Sequence, residues 1–150
     1  MIVVSGRKMM INRKALTEID IRHAMSHGDF PDGIRSSNRF VGVILTQSWC
    51  PDWTWMNGWI ERQRRNNQPV DIDIDLYEFE YNKVRYFDEF MEFKERIFGN
   101  SLIPYVRYYV DGQFAGDSNQ VSAEQMYERF RDFARKSKIP ESVRDSSDRK

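Results

Sequence analysis

Phe40-Val-Gly-Val-Ile-Leu-Thr-Gln-Ser-Trp-Cys-Pro-Asp-Trp53 is the stretch that orients the whole chain. Its first part, Phe40 to Leu45, is a continuous apolar run, rich in β-branched residues and flanked by polar ones. Such a run reads as a strand buried on both faces. From about Asp52 to Asn66 the pattern reads as a helix, with Pro51 suited to its first position because a proline there loses no hydrogen bond. Asn66-Asn67-Gln68-Pro69 is a clear break. Val70-Asp-Ile-Asp-Ile-Asp-Leu76 then alternates strictly, as a strand does. Beyond Leu76 the phase inverts, with Tyr77, Phe79 and Tyr81 apolar and Glu78 and Glu80 polar. The reading is a strand that runs out, twists or carries a bulge.

Working outward, Val84 to Phe98 reads as a second long helix, with Phe87, Phe90, Met91, Lys94 and Phe98 at helical spacing and Gly99 as its stop. Tyr105 to Val110 is a strand, Asp111-Gly112 a tight turn, and Gln113-Phe114-Ala115 the return. Asp-Gly between β-rich runs is a strong hairpin signal, since the turn needs positive φ. Ser122 and Gln125 form a capping pair for a last helix to about Ser137, with Met126, Phe130, Phe133 and Ala134 on its core face. Before the opening stretch, Thr17 and Asp20 cap a short helix that Gly28 ends, and residues 28–38 are dense in turn formers. Residues 1–14 show no sustained periodicity and read as a loosely ordered leader, with translation starting at Met1, Met9 or Met10. Residues 15–138 form the domain, and 139–150 a polar tail. The order α, β, α, β, α, β, β, α gives an α/β domain. Its mixed central sheet joins a parallel pair to a C-terminal antiparallel hairpin, with helices on both faces.

Composition supports one domain. The chain has 150 residues, 40% hydrophobic and 14% aromatic, enough to fill a core. Lys+Arg and Asp+Glu both number 23, and the zero net charge lacks the electrostatic signature of a nucleic-acid binder. No apolar run approaches the roughly 18 residues of a membrane span. Cys50 is the single cysteine, which excludes an intramolecular disulfide and a thiolate-rich zinc site. The N-terminus has too short an apolar run for a signal peptide, so a cytoplasmic location is expected.

Two local sequences resemble the thioredoxin-like superfamily. Ser48-Trp49-Cys50-Pro51-Asp52-Trp53 is similar to the W-C-P-D-C form of a thioredoxin-related group, and to the C-P-x-C/S form of glutaredoxins. Trp53 stands where the second cysteine would be. Leu102-Ile103-Pro104-Tyr105-Val106 matches the segment that, in that family, carries a cis proline facing the active-site cysteine. The resemblance covers about Phe40 to Ser137. It implies Cys50 as the reactive thiol, with Trp49, Pro51, Asp52, Trp53, Ile103, Pro104 and Tyr105 binding substrate or partner. No bound cofactor or metal is expected; glutathione is a possible co-substrate, and the partners are protein thiols or disulfides, or glutathione. Departures are Trp53, Ile44 at the place of a buried acid, and Tyr105 in place of a threonine. Without a second thiol the chain cannot resolve a mixed disulfide by itself.

At a helix N-terminal edge, unpaired N–H groups favour a thiolate at Cys50, while Asp52 opposes it by like charge. Two other readings stay open: Cys50 as an inert buried cysteine, and Trp53 covering the sulfur. Elsewhere the plain readings prevail. Trp55 and Trp59 share a helix face and pack. His23 and His27, at i, i+4, lack a third ligand. Asp71, Asp73 and Asp75 form a solvated or helix-rimmed strand face, whose repulsion softens if Arg62, Arg64 and Arg65 lie nearby. Two functions therefore compete: a monothiol redox protein, and a redox-inactive module binding a partner through Trp49, Trp53 and Tyr105.

Overall fold

A computed structural model describes residues 8–66 and 69–137. Its centre is β2 (Phe40–Thr46), buried at every position. Phe40 and Ile44 point into one core, and Val41, Val43 and Leu45 into the other. A strand with two buried faces has no use for alternation, which is why its sequence is uniformly apolar. Around it stand β1 (Met9–Ala15), β3 (Ile72–Glu80), β4 (Tyr105–Val110) and β5 (Gln113–Ser118), in the order β1-β3-β2-β4-β5. β1 and β2 both run parallel to β3, β4 is antiparallel to β2, and β5 antiparallel to β4.

α3 (Pro51–Arg64) and α5 (Ala123–Ser137) cover one face through Trp53, Met56, Trp59, Ile60, Met126 and Phe130. α1 (Glu18–His27), the short α2 (Asp32–Arg35) and α4 (Phe87–Phe93) cover the other, through Ile21, Ala24, Ile34, Phe90 and Phe93. Thr17 and Asp20 form the capping box of α1, and Gly28 closes it in the left-handed region. Ser122 and Gln125 exchange the same pair of bonds at α5. The hairpin turns on Asp111 and Gly112, at φ 53° and 81°, the positive pair that a tight two-residue turn requires.

Three expectations are corrected. Residues 9–15 are not leader but edge strand β1, so the domain begins well before residue 15. Met9 and Ile11 bury one face, while Arg13 pairs with Glu61 and Glu78, and Lys14 with Asp75. Residues 1–7 and the 139–150 tail lie outside the described residues. β3 neither ends nor bulges at Leu76; it runs to Glu80 in unbroken register with β1 and β2. The inversion arises because Tyr77 and Phe79 enter the aromatic core under α4, while Glu78 and Glu80 on the other face meet Arg13 and the Trp53 indole. The helix expected over 84–98 starts later, at Phe87, after a separate 3₁₀ turn at Tyr81–Lys83, and passes from α4 into a π turn at Lys94–Phe98 that Gly99 closes at φ 73°.

Candidate functional site

β2 delivers the chain to the site, and the loop from Gln47 to Cys50 is tied down by the 3₁₀ turn at the end of β3. The Ser48 N–H donates to Asn82 Oδ1 at 2.8 Å, and Asn82 Nδ2 donates back to Ser48 Oγ at 2.9 Å. Gln47 Nε2 donates to the Tyr81 hydroxyl at 3.3 Å. Cys50 is the N-cap of α3, with Pro51 following in the first turn. Its carbonyl accepts from Thr54 N at 3.0 Å, while its side chain makes no capping bond. The sulfur is therefore free to face the neighbouring loop, where Sγ lies 3.9 Å from the carbonyl oxygen of Ile103. The Ile103–Pro104 peptide bond is cis. Segments 53 positions apart in the chain thus meet at one thiol.

The remaining expected residues divide by exposure. Trp49 is 65% exposed, its indole N–H donating to Gln47 Oε1 at 2.7 Å. Pro51 and Asp52 are exposed, Ile103 is half-buried and Pro104 buried. Cys50 retains 5% exposure. Trp53 and Tyr105 are both buried. Trp53 is buried, and its Nε1 donates to Glu80 Oε2 at 2.8 Å. Turned toward β3, the indole packs into the core under the helix and lines a hollow with Arg13, Asn57, Glu78 and Lys83. Glu80 is held below the usual carboxylate range, chiefly by the Lys83 ammonium, with the Trp53 N–H adding to it against the opposing effect of burial. Tyr105 is fully buried, donating its hydroxyl to Asp117 Oδ2 at 2.8 Å and accepting from Arg107 at 3.0 Å. Burial pushes that hydroxyl up to about 12.

Other expectations shift too. Asp75 is no solvated carboxylate: it is buried and accepts from Ser37, Asn38 and Asn12 as well as pairing with Lys14. Arg64 pairs with Glu61. Trp55 and Trp59 do not share an environment; Trp59 is buried, donating to Val121 O at 3.0 Å, and Trp55 is 48% exposed. His23 and His27 stack ring on ring with centroids 4.1 Å apart. Among the described residues no group of three or more His, Cys, Asp or Glu is arranged to hold a metal ion, and no helix is long and apolar enough to cross a membrane.

Sequence reasoning missed Asn82, Lys94 and Asn119, whose side chains bond Ser48 and the 100–104 segment from other elements. Only their closeness to an element end could have marked them, and that signal is shared by most polar residues.

No protein-family model matches the chain, and no curated protein matches it. Solved structures do. Thioredoxin O2 from Arabidopsis thaliana in its oxidized state aligns over 78% of this chain and 90% of its own, at 13% identity and a TM-score of 0.51. Thioredoxin O1 from the same plant aligns over 79% and 93%, at 12% identity and a TM-score of 0.51. The chain has the thioredoxin fold. Within that fold the thiol at the head of α3 and the loop before β4 are adjacent by topology. β4 pairs with β2, so the segment entering β4 lies beside the segment leaving β2.

Proposed function

We propose that this chain is a single-thiol redox protein in which Cys50 exchanges with protein disulfides or with glutathione. The observation that supports it best is the position of Cys50, at the N-cap of a 14-residue helix. Backbone N–H groups of the first turn lack intrahelical partners, and they favour an anion at that end. In the exchange, the thiol proton goes to solvent and the Cys50 thiolate attacks one sulfur of the disulfide. A new S–S bond forms to Cys50, and the other sulfur leaves as a thiolate. A second, external thiolate then attacks the mixed disulfide and releases Cys50 as thiolate, since the chain holds no other cysteine. A reducing cytoplasm is the compartment in which such a thiol stays free.

A second reading, the redox-inactive binding module, is favoured by the low exposure of Cys50 beside the open Trp49 and Leu102, at 65% and 62%. Its contact surface is then Trp49 and Leu102, without Trp53 or Tyr105. Incubation of the native chain with oxidised glutathione separates the two. The redox reading expects mass spectrometry to find one glutathionyl group on Cys50, removed by excess thiol. It also expects insulin reduction driven by thioredoxin reductase to be no faster than that of Cys50→Ser, since the chain has no second thiol to resolve the mixed disulfide. A native chain that takes no glutathione while the unfolded chain does would leave the binding module.

A further inference from the structure

The loop that carries Ile103 to the thiol is gripped by a lysine that no motif singles out. Lys94 opens the π turn and is fully buried. Its Nζ donates to the carbonyl oxygens of Asn100 and Leu102, at 2.8 Å each, and lies 5.3 Å from the centroid of the Tyr105 ring. Asn100 Oδ1 stands at 3.5 Å. Among the described residues no carboxylate forms an ion pair with it, so main-chain oxygens and a ring face supply its solvation. Burying an ammonium in this way is costly, and burial lowers its pKa to about 8. A methionine of similar length would fill the space without that cost. What the ammonium adds is its hold on two carbonyls.

From the other side, Asn119, just after β5, completes the grip. Its Nδ2 donates to Pro104 O at 3.0 Å and to Asn100 Oδ1 at 3.1 Å. Asn100 Nδ2 donates back to Asn119 Oδ1 at 3.1 Å, and Asn100 Oδ1 also accepts from Leu102 N at 2.9 Å. The carbonyls of Asn100 and Leu102 are taken up by Lys94 and that of Pro104 by Asn119, while that of Ile103 meets Cys50 Sγ.

We propose that Lys94 is a positioning residue for the Cys50 site: by holding the Asn100 and Leu102 carbonyls it fixes the Ile103 carbonyl over the thiol and sets how often the sulfur is open to attack or to attacking. This rests on the reading that Cys50 reacts in the native chain. Opening is then a local event of the 100–104 segment, and it does not require the sheet to unfold.

The test uses the full chain and two variants that loosen the loop from opposite sides, Lys94→Met and Asn119→Ala. Cys50 alkylation by iodoacetamide is followed by mass spectrometry at one pH across sub-denaturing urea, with the unfolding midpoint of each protein measured in the same series. Both variants are expected to alkylate about tenfold faster than the parent, which is what losing a net hydrogen bond or two of the grip would release. Their rates should stay flat across low urea, as local opening does. Parent-like rates in both variants would overturn the proposal. So would rates that rise only in step with lost global stability, because that is a structural role and nothing more. A parent chain that alkylates only through global unfolding would instead overturn the thiol reading, and the positioning role with it.

Discussion

Cys50 and Trp53 are three positions apart at the head of α3, both buried but with different polar partners. Cys50 ends at the helix mouth with its sulfur against a carbonyl, whereas Trp53 has turned inward to Glu80. The indole therefore belongs to the core, in the same buried cluster as Cys50. Trp53→Ala removes a buried indole and leaves Glu80 with one donor fewer. It should cost about 3–5 kcal/mol of unfolding free energy, read from urea denaturation. Glu80→Gln keeps an acceptor for the indole and should cost far less, about 1 kcal/mol. If Trp53→Ala instead left stability intact and sharply accelerated Cys50 alkylation, the indole would be acting as a lid.

At the scale of elements, β1 carries the clearest consequence. Its apolar face is small, with Met9 and Ile11 at 2% and 3% exposure, yet it completes one edge of the sheet. Ile11→Ala should therefore cost about 2–4 kcal/mol, measured as a lower urea midpoint at unchanged slope. A residue in a loose leader would cost nothing. The elements legible in the sequence are those with local causes. β2 is a contiguous apolar run, α1 and α5 carry capping pairs, and the hairpin carries Asp-Gly. β1 is hidden because Arg13 and Lys14 look like surface charge until Glu61, Glu78 and Asp75 come to meet them from other elements. The inversion in β3 is hidden for the same reason, since Glu78 and Glu80 find partners only in the fold. At the site, Cys50 and Ile103-Pro104 are legible as motifs. The inward turn of Trp53 and Tyr105 is not, because it depends on Glu80 and Asp117, 27 and 12 positions away.

For the molecule as a whole, the sheet between two helical layers encloses several tyrosines. Burial pushes the Tyr105 and Tyr108 hydroxyls up to about 12, and raises that of Tyr109 further. In the unfolded chain they ionise near pH ~10. The folded form thus binds more protons between about 10 and 12, so stability falls as pH rises through that window and is complete below it. Lys94 acts in the opposite sense at lower pH. Its pKa is lowered to about 8 from 10.5, so its contribution improves as pH rises between those values. Urea midpoints on either side of pH ~10 should show the loss on the alkaline side, with tyrosinate absorbance appearing together with unfolding. Full tyrosinate absorbance in a still-folded protein would contradict it.

The proposed chemistry turns on the thiol at the head of α3, and alkylation of Cys50 as a function of pH tests it most directly. Native Cys50 should react at neutral pH faster than a model thiol. A native thiol that stays unmodified from acid to alkaline pH, while the unfolded chain reacts readily, would contradict it.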